Sequence, residues 1–264
     1  MLMRHFVFYP HAMRIDRTLL DCSLEMDPAT KASAPKGLQN PRWKRTFDVA
    51  LVVLALPVLI PAVLFIALLI RSCSAGPVLF RQERVGCKGR RFLCFKFRTM
   101  LVGTETVTHQ DHIHHLMNSN TPMMKMDSGG DPRIIPFGKF LRASGLDELP
   151  QLMNVMRGEM SLVGPRPCLP YEYDNYLPWQ MERFETLPGL TGLWQVNGKN
   201  RTTFVEMIQF DIVYARSKTL CGDSIIILKT IPAVMIQLRD TGRRGKSMAS
   251  SRQIAPVVPA LGSN

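Results

Sequence analysis

The sequence predicts an α+β, mainly helical fold: an N-terminal re-entrant membrane helix, a small β-hairpin, and a cytoplasmic domain with interfacial amphipathic helices. Three observations predict it. Residues 49–70 run for 22 positions without a charge; residues 91–98 alternate in polarity after a glycine-containing turn; and the second half carries helix-period apolar stripes between glycine and proline stops. The divisions that follow are a poorly ordered basic tail at 1–41, a membrane-inserted segment at 42–72, the main domain at 73–240 and a disordered tail at 241–264.

The apolar run is long enough, at about 1.5 Å per residue, to cross a hydrocarbon core of about 30 Å. Hydropathy alone reads as a single spanning helix. Pro57 and Pro61 oppose that reading, since each removes a backbone donor in mid-segment and crowds the preceding turn. Lys44 and Arg45 precede the run and Arg71 follows it, and the positive-inside preference puts both ends in the cytoplasm. A helix that enters, breaks at Pro57 and Pro61 and returns satisfies both facts.

Past Ala75-Gly76-Pro77, a strand begins at 78–80, turns through Gly86-Cys87-Lys88-Gly89 and returns over 91–98. Leu93, Phe95 and Phe97 fall on one face and Cys94, Lys96 and Arg98 on the other. Seven Lys and Arg residues between positions 81 and 98 face one acid, Glu83. A solvated edge, a lipid headgroup contact and phosphate ligation by Lys96 and Arg98 all suit that charge. The polar stretch 109–126 holds His109, His112, His114 and His115; with no cysteine or glutamate to complete a metal set, it reads as an exposed loop.

Residues 137–144 form a short amphipathic helix stopped at Gly145. A second opens at Asp147, accepts Pro150 in its first turn and ends at Arg157-Gly158. A further helix covers 204–216. An amphipathic one covers 225–238, with Ile227, Ile231, Val234 and Leu238 as a stripe for the core or the bilayer interface. The net charge of +12 at pH 7 implies anionic partners: nucleic acid, acidic lipid or phosphorylated substrates. No nucleic-acid-binding motif accompanies it. Six scattered cysteines without a CxxC pair read as reduced packing residues.

The densest chemistry is Arg142-Ala143-Ser144-Gly145-Leu146-Asp147-Glu148-Leu149-Pro150-Gln151, followed by Gly164-Pro165-Arg166-Pro167. Adjacent acids at a helix start are common caps. An arginine fixed between two prolines is rarer and presents a preorganised guanidinium for phosphate. Together with Lys96, Arg98 and Arg142, these residues outline a phosphoryl-transfer site. A membrane-tethered binding protein would account for charge and anchor but not for the acids beside Pro-Arg-Pro; a membrane phosphatase would use the same carboxylate toward water.

Five motifs in order carry a closer resemblance: Lys44-Arg45-Thr46-Phe47-Asp48, Phe95-Lys96-Phe97-Arg98-Thr99-Met100, Leu146-Asp147-Glu148-Leu149-Pro150-Gln151, Gly164-Pro165-Arg166-Pro167, and Pro188-Gly189-Leu190-Thr191-Gly192-Leu193-Trp194-Gln195-Val196-Asn197-Gly198. Over about residues 42–238 the chain resembles the bacterial sugar transferases, the small monotopic phosphoglycosyl transferases, and among them the short exopolysaccharide-production members. The resemblance implies a sugar-1-phosphate transferase working from a UDP-sugar to polyprenyl (undecaprenyl) phosphate, with release of UMP. Asp147 would be the nucleophile that carries the phosphosugar. Glu148 would manage metal or protons, and Mg2+ would be held by Asp147 or Glu148. Lys96, Arg98, Arg142, Arg166, Gln195 and Asn197 would bind phosphate and substrate. It also implies a bacterial inner-membrane location with the catalytic domain facing the cytoplasm, and downstream glycosyltransferases as partners. The family breaks its re-entrant helix at Ser-Pro; here Ile60 precedes Pro61 and Pro57 is an extra proline one turn earlier.

Overall fold

The computed structural model describes residues 40–101, 116, 117, 119, 121–123, 133–199 and 201–253, with side chains through Thr241 in the last helix. The 109–115 histidines, the tail before Asn40 and the residues after Gln253 lie outside the described set. The fold is mainly helical with a small antiparallel two-stranded sheet.

Helix α1 (Arg42–Cys73) contains the uncharged run and stays helical through both prolines, so the expected interruption of the helix is not seen. Without an N–H at 57 and 61, the ladder loses its bonds to the Val53 and Pro57 carbonyls, a weakening that permits a bend. The middle of α1 is bare: Leu54, Val58, Ile60, Leu64, Phe65 and Leu68 are exposed. Its two ends are not. Near the start, the buried Lys44 ammonium donates to Asp223 Oδ2 (2.5 Å) and Tyr214 OH (2.8 Å), Asp48 accepts the Leu162 N–H (3.1 Å), and Val52 packs with Cys94, Val155 and Met160. Near the end, Ile66 and Ile70 pack with Phe97, Ile135 and Leu141.

The hairpin pairs β1 (Leu79–Val85) with β2 (Arg91–Phe97) in the register Leu79↔Phe97 to Val85↔Arg91. Its faces do not divide as the alternation suggests. Leu93 is exposed, whereas Cys94 and Arg98 are buried with Phe95 and Phe97, because α1 and residues 154–160 cover the Cys94 face. Helix α2 (Gly138–Ser144) ends at Gly145 in the left-handed region, φ 75°. The helix expected from Asp147 is two pieces: a 3-10 turn over Leu146–Gln151 holding Pro150, then α3 (Leu152–Arg157) closed by Gly158 at φ 78°. The tighter turn accommodates Pro150 six residues after the end of α2.

Strands β3 (Ser161–Val163) and β4 (Gly189–Thr191) make a parallel pair flanking α4 (Pro170–Tyr173) and a 3-10 segment, Pro178–Glu185. Short helix α5 (Leu193–Val196) follows. Helix α6 (Phe204–Ser217) starts at a capping box: Thr203 Oγ1 accepts the Glu206 N–H and Glu206 Oε2 accepts the Thr203 N–H. Helix α7 spans Leu220–Gln253, so residues 241–253 are helical where a disordered tail is expected. The expected stripe divides: Ile227 packs against the cluster of Val163, Val196, Tyr214 and Ile226, while Ile231 is 62% exposed. Both α1 and the Leu220–Thr241 part of α7 are long and apolar enough to cross a membrane, with mean hydropathies of 3.0 and 1.5.

Candidate active site

The Gly164-Pro165-Arg166-Pro167 loop leaves β3 where three backbone segments nearly touch. Gly164 N–H donates to the Thr191 carbonyl (2.8 Å) and Gly189 N–H to the Pro165 carbonyl (2.8 Å). A Cβ on Gly164 would collide with the Leu187 carbonyl, and one on Gly189 with the Gly164 nitrogen. Only glycine allows that approach. Two buried arginines then grip the loop from behind: Arg84 Nη1 donates to the Pro167 carbonyl (3.2 Å) and Arg183 Nη2 to the Arg166 carbonyl (2.9 Å). Arg183 is neutralised by Asp211 at 2.6 Å and also donates to Tyr176 OH.

On the opposite side, the buried Asn154 stitches β2 to α3. Its Oδ1 accepts the Phe95 N–H (3.2 Å), and its Nδ2 donates to the Leu93 carbonyl (2.7 Å) and Glu159 (2.6 Å). This register sets Lys96 over the 3-10 turn, where its ammonium meets Glu148 Oε1 at 2.7 Å. Arg166 Nη1 lies 3.8 Å from the same oxygen. Burial works to raise the Glu148 carboxyl, but Lys96 and Arg166 overcome it and hold the group well below the usual carboxylate range. Lys96 and Arg166 thus favour the charged carboxylate at Glu148. Asp147 precedes it on the same turn, half-buried.

A small cleft opens here, lined by Arg84, Lys96, Glu148, Gln151, Arg166 and Gln195. Lys199, which follows the Gly198 turn, interacts electrostatically with both acids. Burial lowers its ammonium below the ordinary lysine range, and Glu148 and Asp147 counter that while Arg166 and Lys96 add to it.

The structure thus brings together Asp147, Glu148, Lys96, Arg166 and Gln195. Two other expected residues are engaged elsewhere. Arg98 is buried and donates to the Ala75 (2.7 Å) and Ser74 (3.0 Å) carbonyls, fastening the exit of α1. Asn197 donates to the Leu193 carbonyl (2.9 Å) within its own turn. Arg142 lies on α2, five residues before Asp147, and its carbonyl accepts from Gln237 (3.3 Å). Sequence reasoning missed Arg84, Gln151 and Lys199. Lys199 directly follows the Trp194-to-Gly198 motif, and Gln151 closes the motif of the acids, so adjacency was the available signal; Arg84 had none.

The acids also limit what metal the site suits. Among the described residues no three His, Cys, Asp or Glu side chains gather as a metal set. Two neighbouring carboxylates, one already bonded to lysine, fit a hard cation such as Mg2+ that takes most of its oxygens from substrate phosphates and water.

Known proteins resemble this chain along the region that builds the site. A family model described as bacterial sugar transferase matches residues 39–237. The exopolysaccharide production protein ExoY of Sinorhizobium fredii is 37% identical over 193 residues, 73% of this chain and 85% of that protein. The UDP-glucose:undecaprenyl-phosphate glucose-1-phosphate transferase of Caulobacter vibrioides is 39% identical over 200 residues, 73% of this chain and 69% of its own. The UDP-galactose-lipid carrier transferase of Erwinia amylovora is 39% identical over 196 residues, of which the chain spans only 40%.

Proposed function

The chain belongs to the bacterial sugar transferase family, and we propose that it moves a sugar-1-phosphate from a UDP-sugar to polyprenyl phosphate at the cytoplasmic face of a bacterial inner membrane. The observation that carries this reading is Glu148, next to Asp147 on one turn, meeting Lys96 at 2.7 Å and Arg166 at 3.8 Å at the cleft. Relatives whose names specify UDP-glucose, UDP-galactose and undecaprenyl phosphate support the donor and acceptor classes.

Asp147 attacks the β-phosphorus of the donor. A carboxylate O–P bond forms, the bond to the bridging oxygen breaks, and UMP leaves with that oxygen. A phosphate oxygen of the lipid then attacks the same phosphorus, expelling the Asp147 carboxylate and giving the diphosphate-linked sugar. Lys96, Arg166 and Lys199 hold the equatorial oxygens as charge shifts between entering and leaving groups. Glu148, as the charged carboxylate, keeps Lys96 and Arg166 in place. Mg2+ bound by Asp147 or Glu148 would neutralise pyrophosphate charge. The product would feed glycosyltransferases that extend a lipid-linked glycan.

The packing of α1 supports a re-entrant membrane helix with both ends on the cytoplasmic side. A domain that holds Lys44 through Asp223 and Ile66 through Phe97 touches both ends of α1, leaving the bare middle for lipid. Val52 packs in the cluster of Cys94 and Ile66 in that of Phe97. Those strand residues are about 10 Å apart, whereas Val52 and Ile66 on a straight helix would be about 21 Å apart. A bend at Pro57 and Pro61 reconciles the two.

The test is a panel of UDP-sugars offered to the membrane-embedded protein with undecaprenyl phosphate and Mg2+. UMP release together with a lipid-linked sugar is expected for at least one donor. Inorganic phosphate in place of lipid product would mark a phosphatase and overturn the reading.

A further inference from the structure

Gln237 lies on α7, far along the chain from the motifs, yet both ends of its amide are used at the site. Its Oε1 accepts from the Lys199 ammonium at 3.2 Å, and its Nε2 donates to the Arg142 carbonyl at 3.3 Å. Arg142 is on α2, five residues before Asp147. One side chain therefore links three elements: the turn after α5 that carries Lys199, the helix that leads into the acids, and the long C-terminal helix. Lysine is a point charge on a flexible four-carbon stem, and an ammonium drawn in among Lys96 and Arg166 is repelled by both. A hydrogen-bond acceptor holds it there against that repulsion. A glutamine amide, an acceptor at one end and a donor at the other, does this.

We propose that Gln237 is a positioning residue of the transfer reaction, holding the Lys199 ammonium beside Asp147 and Glu148 and tying it to the backbone of α2. The proposal rests on the transferase reading. It assigns to α7 a part in catalysis beyond any contact with the bilayer: Met235 and Ile236, next to Gln237, are exposed, so one turn of α7 faces outward with its apolar side chains and inward with its amide.

The test compares Gln237→Leu, which removes both bonds, with Gln237→Glu, which keeps an acceptor for Lys199 and gives up the donor to Arg142. Both are made in wild-type and Lys199→Met backgrounds, in the full chain in nanodiscs with Mg2+. Two quantities are read: UDP affinity, which needs no turnover, and steady-state UMP release. Gln237→Leu is expected to weaken UDP binding and raise the donor KM by about tenfold while kcat changes by less than about threefold. Gln237→Glu restores most of the loss. In the Lys199→Met background neither change has further effect, since the residue acts through Lys199. Additive losses with Lys199→Met, equal failure of the leucine and glutamate variants, or an unchanged UDP affinity each overturn the proposal. A wild-type protein that neither binds UDP nor releases UMP overturns the transferase reading, and this proposal with it.

Discussion

Arg183 reaches Arg166 through the backbone: its buried Nη2 donates to the Arg166 carbonyl at 2.9 Å while Asp211 neutralises it at 2.6 Å. The guanidinium that lines the cleft is thus aimed by one buried behind it. Arg183→Met is expected to destabilise the fold by about 3–5 kcal/mol, because Asp211 is left buried without its partner. Adding Asp211→Leu should recover much of that stability, read by thermal melting. The donor KM should stay raised, since the double variant still lacks the bond to Arg166. A KM that recovers with the melting temperature would show that Arg183 matters only for folding.

Gly164 and Gly145 test two different reasons for glycine. Gly164→Ala places a Cβ into the Leu187 carbonyl, so β3 and β4 must part and the Pro-Arg-Pro loop must move. The expected cost is about 1–3 kcal/mol, as for overpacking elsewhere, with near-complete loss of activity. Gly145→Ala meets nothing within 4 Å and is opposed only by its φ of 75°. That variant should lose about 1–2 kcal/mol and keep most of its turnover. Urea midpoints and UMP release on the same preparations check the contrast.

Lys199 supplies a pH prediction. Burial lowers its ammonium, so as pH rises the cation is lost earlier than from an ordinary lysine. Donor kcat/KM should fall on that alkaline limb. Lys199→Arg keeps its charge throughout and should carry the limb to higher pH. A limb that stays in place with arginine would assign it to another group.

The parts of the site legible in the sequence are those that local chemistry fixes. Gly-Pro-Arg-Pro advertises a rigid arginine, the strand over 91–98 follows from aromatic alternation, and Gly145 marks the stop of the helix before the acids. Arg98 was misread because strand polarity shows which face a cation shares, not what covers that face; the exit of α1 claims it. Strands β3 and β4 have three residues each, too short to show a period of two. Arg183, Asp211 and Asn154 carry no local signal either: the bonds from Arg183 to Arg166 and Asp211 and from Asn154 to Leu93 span 17, 28 and 61 residues of chain. What the sequence leaves out is the layer of buried polar residues that aims the visible ones.

The packing of both ends of α1 on one domain predicts a topology. Tags at Met1 and Asn264 should both resist reagents applied outside sealed cells. Replacing Pro57 and Pro61 with leucine restores two backbone bonds and removes the reason to bend. The straightened helix should either move the N-terminal tag across or tear Lys44 from Asp223, with loss of folded protein. A wild-type N-terminus found outside would mean a spanning helix.

Where the phosphate pauses decides the role of Asp147. A carboxylate nucleophile divides the transfer into two displacements, so UMP must leave before the lipid reacts, and the kinetics should be ping-pong. Incubating the protein with UDP-sugar labelled in the β-phosphate, with Mg2+ but no lipid, should place label on Asp147; label in the α-phosphate should leave as UMP. Undecaprenyl phosphate should then chase the protein-bound label into lipid. Asp147→Asn should show neither label nor turnover. Glu148→Gln leaves Lys96 and Arg166 without their anionic partner, so it should label slowly, with turnover reduced by roughly two orders of magnitude or more as the cations lose their placement. A direct displacement by the lipid would leave the wild-type protein unlabelled and release UMP only when both substrates are present. In that case Asp147 is no nucleophile, and the cations around Glu148 would serve one transition state in place of two.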